Sequence, residues 1–379
     1  MTLSFDGIRK DANRFLESMR TDQSFLFRFS ADNKPNLIGS ALAVMLTALL
    51  GLNESLTEQE KNDWADYLNS FQRKDGFFED EDISDENRVS GYTKERALFH
   101  RTRHVLFALA TLGYKPKNDF LFLEDKMKPG AMKKWMDELD LSDFWDASNK
   151  IMDLALFLSY EALANESSDA KRALDVLIDI CDENTDAKTG YQDAGKSERR
   201  NAMAGAMHIY PVYFMWRREP KYPERVLETT LSLQQSDGFF AYETKTCGED
   251  CLDYDAVNII VNFSFIHNGY DKKIKKSLTR LLDAIESCKN SDGGFCCHRR
   301  DENYRFGTFT TEVPVGGSSL WSTYSRILTI AMAGKVLSEH PASGDWNLGN
   351  NIMELWDGGS GKMRSYHNFS GLKDTKCLF

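Results

Sequence analysis

The feature that most constrains this chain is a turn that keeps returning at helix ends. It reads QRKDGFF at 72–78, DAKTGYQD at 186–193, QQSDGFF at 234–240, KNSDGGF at 289–295 and WDGGSG at 356–361. A weaker form, LSDFWD at 141–146, fills the gap between the first two. An Asp-Gly step suits a tight turn, because Asp bonds its own backbone and Gly accepts positive φ. The aromatic that follows can pin the turn to a core. The uneven spacing, roughly 45–70 residues, starts at the upper end of usual repeat periods.

Between the turns, two kinds of helix alternate. Six strongly apolar helices are predicted at 37–52, 97–114, 147–160, 202–216, 254–267 and 319–336. Each follows a more amphipathic one, at 5–19, 58–72, 130–139, 169–181, 222–235 and 273–289. A helix apolar all round is buried, and one with a single apolar stripe is an outer helix. Six alternations make an all-α (α/α)6 toroid, an inner ring wrapped by an outer ring. An irregular helical solenoid is the competing architecture; the recurring turn aromatics and the count of six favour the closed ring. No linker interrupts the pattern, so residues 1–379 are expected to form a single domain. Its Gly-rich stretch 344–379 is expected to pack, mostly as loop, across one end.

Composition narrows the partners. The chain of 379 residues has a formal net charge of −11, with 41 % hydrophobic and 12 % aromatic residues. A net negative protein is a poor generic partner for nucleic acid or an anionic membrane. The longest apolar run, 37–52, falls short of a bilayer-spanning helix of roughly 20 residues. The N-terminus MTLSFDGIRKDANRF lacks the apolar segment of a signal peptide, so a cytoplasmic location is expected. Seven cysteines without a secretion signal are expected as free thiols. No phosphate-binding loop, dinucleotide fingerprint, HExxH or GxSxG stands in a convincing context.

In such a ring the inner helices run one way, so their N-termini and preceding loops converge on one mouth of a central cavity. Helix N-termini favour anions there. The same loops and first turns carry His100, Arg101, Arg103, His104, Arg199, Arg200, Arg299, Arg300 and Arg305. An anionic small molecule, such as a diphosphate or an acidic sugar, would suit them; pairing with the loop acids is the plain alternative. Asp253 and Asp255 stand at the expected start of the fifth inner helix. Caps are the common use of acids there, yet two carboxylates in a cavity can share a proton and make a general acid. His104, His208, Asn149 and Arg326 lie on helices otherwise apolar, where a polar group needs a partner or a wet cavity. Trp145, Trp321, Tyr324 and Tyr254 can give aromatic walls suited to sugar faces or to a cation. Cys247 and Cys251, with Cys296, Cys297 and His298, could bind zinc if brought together, but lack the CxxC spacing. No metal ligand set is therefore expected, and magnesium or zinc are the only cofactor candidates left.

The helix-end turns LNSFQRKDGFF, LSLQQSDGFF and AIESCKNSDGGF are similar to the repeats of the terpenoid cyclase/protein prenyltransferase superfamily, which includes squalene–hopene cyclase. The resemblance covers most of the chain at the level of repeats. It implies an α/α toroid with the active site in its cavity. The class II cyclases carry an Asp-x-Asp-Asp motif whose middle Asp protonates an alkene or epoxide. Asp253-Tyr254-Asp255-Ala256 resembles it, with Asp255 at the proton donor and Ala256 where the motif has its last Asp. The zinc ligands of the prenyltransferases, an Asp-x-Cys and a distant His, find no clean match. The expectation is thus a cyclase-like enzyme, an isomerase or lyase, acting on an isoprenoid. In it Asp255 is the acid, Asp253, His208 and His104 assist, and Trp321, Tyr324, Tyr254, Trp145, Asp146, Arg299, Arg300 and Arg326 hold substrate. Two other readings stay open. One is a hydrolase, lyase or epimerase on an acidic sugar, for which Asp146 with Asp255 or His104 would be indispensable. The other is a binding scaffold without chemistry.

Overall fold

A computed structural model describes residues 3–83, 93–216, 218–240, 249–264, 269–297, 303–306, 311–348, 355–357 and 362–364. Twelve α-helices lie among them. The outer helices are α1 (Phe5–Met19), α3 (Glu58–Asn69), α5 (Ala131–Asp137), α7 (Ser168–Glu183), α9 (Pro223–Ser232) and α11 (Asp271–Glu286). The inner helices are α2 (Leu37–Leu49), α4 (Lys94–Leu112), α6 (Phe144–Ala164), α8 (Arg199–Met215), α10 (Glu249–Ser264) and α12 (Leu320–Gly334).

The inner helices touch in the order α2, α4, α6, α8, α10, α12, and α12 returns to α2. That last contact closes the ring and rules for the toroid over the open solenoid. The burial follows the sequence pattern: every residue of α2 is buried, whereas α11 buries only the stripe Ile274, Ser277, Leu278, Leu281, Leu282 and Ile285. Ion pairs between neighbouring inner helices join similar depths. Arg103 and Asp153 are each tenth in their helices, and Asp253 and Arg326 are fifth and seventh. Side chains cap the inner helices at their starts: Asn36 on Gly39 N, Thr93 on Arg96 N, Glu198 on Arg200 and Asn201 N, Ser319 on Ser322 N.

The recurring turn lies at the joint between repeats. Gly76, Gly190, Gly238 and Gly293 all have φ between +80° and +99°, where a side chain is strained. Each also sits hard against the next repeat. A Cβ on Gly238 would lie 2.6 Å from Arg280 O in α11, and one on Gly293 would lie 2.2 Å from Asp11 O in α1. The turn at 289–295 therefore seats on the first outer helix, a second closure of the ring; residues 358–361 of the turn expected at 356–361 lie outside the described residues. Gln72 and Gln234 play the same part in two turns. Gln72 Nε2 donates to Gly76 O and Asn118 O, and Gln234 Nε2 donates to Gly238 O and Ser277 O.

Helix ends moved where local chemistry outweighed hydropathy. The amphipathic helix expected at 130–139 is only seven residues long, α5. The helix expected from Tyr254 starts at Glu249 instead. Asp253 and Asp255 accordingly sit in its second turn, not in the capping turn. Two features were not anticipated. A short antiparallel pair joins β1 (Tyr304–Arg305) to β2 (Glu312–Val313). In the tail read as loop, β3 (Leu355–Asp357) pairs with β4 (Lys362–Arg364) and approaches α10 and α8. The start of that tail packs on α1, where Trp346 meets Phe5 edge-on at 4.7 Å.

Candidate active site

Three buried carboxyls gather on α10. Asp250, Asp253 and Asp255 are all fully or almost fully buried. Asp253 is the anchored one. Its Oδ1 accepts the backbone N–H of Phe240 at 2.7 Å, and its Oδ2 pairs with Arg326 Nη1 of α12. Arg326 also donates from Nη2 to Cys297 O at 2.6 Å and lies over the Phe239 ring at 5.4 Å. The guanidinium is thus used inside the fold, and its part in the site goes through Asp253.

Asp255 is the opposite case. Its Oδ2 is buried and finds no hydrogen-bond partner among the described residues. Burial pushes its carboxyl well above the ordinary range, and the neighbouring Asp253 and Asp250 push the same way. Asp253 is also raised by burial, but the pull of Arg326 holds the rise down. Asp253 has the Arg326 guanidinium to set against its burial, whereas burial and two neighbouring acids all favour the neutral form of Asp255. Asp255 is the group that keeps a proton. A buried carboxyl that favours its protonated form and leaves one oxygen without a partner suits a general acid.

Aromatic side chains share that side of the ring. At helical spacing, Cys251, Tyr254, Asp255, Asn258 and Asn262 fall on one face of α10. Trp321 and Tyr324 of α12 have ring centroids 6.1 Å apart, and burial raises the Tyr254 hydroxyl, with Tyr324 and Asp255 pushing the same way. Trp321 reaches His104 of α4 at 5.7 Å, and Phe306 bridges them, 4.7 Å from Trp321 and 5.7 Å from His104. Burial lowers His104 well below the usual imidazole value, with Arg103 acting the same way. It is a neutral ring, and its Nδ1 is 2.8 Å from His100 O.

The remaining candidates lie on α6, α8 and outside the described residues. His208 Nδ1 is 2.9 Å from Ser148 Oγ, and burial keeps that imidazole neutral too. No described hydrogen bond joins His208 to Asp255. Trp145 is half-buried, and its backbone N–H donates to Asn201 Oδ1 at 2.7 Å. Asp146 is paired with Arg96 and with Lys150 Nζ at 2.8 Å. Arg299 and Arg300 lie outside the described residues. Two of the cations expected at the mouth are paired: Arg101 with Asp80, and Arg103 with Asp153 at 2.6 Å.

The prenyltransferase alpha-alpha toroid domain model matches residues 4–118 and 132–311. The chain belongs to that family. No curated protein matches it. The match to the toroid domain takes in Asp250, Asp253 and Asp255 but ends before α12, so Arg326, Trp321 and Tyr324 lie beyond it. Of the zinc candidates Cys247, Cys251, Cys296, Cys297 and His298, Cys247 and His298 lie outside the described residues. A guanidinium already sits against Asp253, and no three metal-ligating side chains converge among the described residues. No helix of the described residues is long and apolar enough to cross a membrane.

Several residues of this site escaped the sequence. Asp250, Asn258 and Phe306 belong to no motif that marks them in the sequence. Asp153, whose carboxyl burial raises to about 6 against the pull of Arg103, was hidden in an apolar helix. An acid four residues after Asn149 on an otherwise apolar helix was the one signal available for it.

Proposed function

We propose that this toroid protein is a terpenoid cyclase-like enzyme in which Asp255 protonates an alkene or epoxide of an isoprenoid substrate. The observation that carries the reading is the Asp255 carboxyl, buried, raised and with Oδ2 unpartnered. Its conjugate base, once the proton leaves, is the second negative charge beside Asp253; the nearby Arg326 offsets one of the two. Trp321, Tyr324 and Tyr254 supply ring faces that stabilise developing positive charge by cation–π attraction. Asp253 acts by holding its own charge fixed, which keeps the proton on Asp255. The ion pairs of Asp146 with Arg96 and Lys150 argue against its serving as the second carboxyl of a glycan hydrolase.

The test is turnover of squalene and of geranylgeranyl diphosphate, with products identified by gas chromatography and mass spectrometry. Cyclised product is expected from the native protein. Asp255→Asn should lose it by two orders of magnitude or more, on the scale of a general acid, with an unchanged circular dichroism spectrum. Product formation undiminished in Asp255→Asn sinks the reading. Activity on acidic oligosaccharides that depends on Asp146 or His104 would replace it.

A further inference from the structure

We propose that Cys288 and Cys296 form a reversible dithiol–disulfide pair, a modification site built around the repeat turn at 289–295, directly behind the Asp253–Arg326 pair. Cys288 follows α11, and Cys296 stands on the far side of the KNSDGGF turn. Lys289 and Phe295 form an antiparallel bridge, and Cys296 N donates to Cys288 O at 2.9 Å. The two cysteines therefore face each other across the turn. Facing residues of an antiparallel pair hold their Cβ atoms about 4.5–5.5 Å apart, close to the roughly 3.5–4.5 Å of a disulfide.

The thiols are in contact. A hydrogen bond from Cys296 is the main reason the Cys288 thiol is drawn down to about 6, against its burial and with help from Arg326. A thiolate is the reactive form of cysteine, so Cys288 is the attacking group at neutral pH. Nothing in the turn itself requires sulfur. In the sister turn at 72–78 the same bridge joins Gln72 to Phe78, and Glu79 N donates to Phe71 O at 3.1 Å. Phe71 and Glu79 thus stand where Cys288 and Cys296 stand. The fold accepts other residues at both positions, and this turn alone carries the pair among the two.

The oxidant is a small disulfide of the glutathione class. The Cys288 thiolate attacks it, forming a mixed disulfide and releasing one glutathione thiolate. Cys296 gives up its proton and attacks Cys288 Sγ, expelling the second glutathione. Two protein thiols lose two protons and two electrons, and the glutathione disulfide takes up both to become two thiols. Both cysteines are buried, 3 % and 1 % exposed, so exchange runs through opening of the turn, whose tip Ser291 and Asp292 are exposed. Oxidation removes an ionisable thiol whose charge acts on Arg326. Arg326 is then left to Asp253 and its neighbouring carboxyls. The pair can be tested without reference to catalysis.

The full-length protein is equilibrated in glutathione redox buffers, quenched with acid, blocked with N-ethylmaleimide and mapped by peptide mass spectrometry. The expected result is a single two-electron transition and a cross-linked peptide joining 288 to 296, lighter by two hydrogens. Cys288→Ser and Cys296→Ser, which conserve size, should each lose it while keeping the native circular dichroism spectrum. The proposal is overturned if both cysteines of the folded protein still take maleimide after oxidation. It is equally overturned if glutathione adducts accumulate in place of the cross-link, or if Cys251 joins Cys297. The pH midpoint for iodoacetamide alkylation of Cys288 should lie below the ordinary thiol value of about 8.5 and rise in Cys296→Ser. A midpoint unmoved by Cys296→Ser removes the basis of the pair.

Discussion

Two kinds of joint connect the repeat turns to the inner helices, and they differ by one functional group. In the turns at 72–78 and 289–295, the N–H of Phe78 or Phe295 donates to a threonine hydroxyl, Thr102 of α4 or Thr323 of α12, at 3.0 Å. In the turn at 234–240, the N–H of Phe240 donates to Asp253 at 2.7 Å. The hydrogen bond is conserved in purpose, but the third joint brings a buried charge with it. That charge requires a buried cation, Arg326, while burial and the neighbouring acids push Asp255, two residues on, towards its neutral form. Asp255 is left holding a proton. The proton donor proposed here thus follows from placing a carboxylate where the other repeats place a hydroxyl.

The comparison is most sharply tested by stability. Arg326→Met leaves Asp253 as an uncompensated buried charge, and a loss of about 3–5 kcal/mol in urea unfolding is expected. The double variant Asp253→Thr, Arg326→Met rebuilds the neutral joint of the sister repeats and should regain most of that loss. A double variant no more stable than the single one breaks the equivalence of the joints. Next in size is Gly293→Ala. Its Cβ would meet Asp11 O where the ring closes, whereas one on Gly113, also at positive φ, meets nothing within 4 Å. Gly113→Ala should cost only the backbone strain, about 1–2 kcal/mol, and Gly293→Ala clearly more; equal losses would mean that the turn is not held against α1. The smaller effect is Thr323→Val, which orphans the buried N–H of Phe295 at a cost of about 1–3 kcal/mol.

The pH dependence of melting should sharpen the contrast further. Because the native state keeps the Asp255 proton that the unfolded chain releases above about pH 4, stability falls as pH rises through that range. Asp255→Asn removes this falling slope, while Thr323→Val leaves it in place. The neutral histidines act in the other direction. His104 and His208 are lowered by burial, so the unfolded chain binds protons below about pH 6.5 that the native state refuses, and stability drops on acidification. Replacing both with Gln should flatten the acid limb of a melting-temperature profile; an unchanged limb would assign it to other groups.

Much of the architecture was legible in the sequence. Alternating all-apolar and one-faced helices gave the inner and outer rings, because hydropathy reports directly which face meets water. Positions 5–19 matched α1 to the residue, since its stripe is strong and its ends are polar. Glu249–Ser264 was placed five residues late, because EDCLD looks like a polar loop when its burial against α12 is unknown. The tail hairpin was missed for a similar reason: Leu355–Asp357 and Lys362–Arg364 are too short to show a period, and only their pairing makes them strands. The site was legible in part. Asp253 and Asp255 stood out by spacing, but nothing in the sequence told their roles apart.

What the sequence by itself determined was the alternation of helices, the turn glycines and the presence of acids, arginines and aromatics near inner-helix starts. These are local matters of periodicity and backbone sterics. Only the tertiary structure decided which charges cancel. Asp253 and Arg326 are 73 residues apart in the chain, and Arg103 and Asp153 are 50 apart. Such pairs exist because the ring brings neighbouring inner helices together at equal depth. A carboxyl's proton depends on how many charges share its dry surroundings, and that number is set by packing across helices that the sequence keeps far apart.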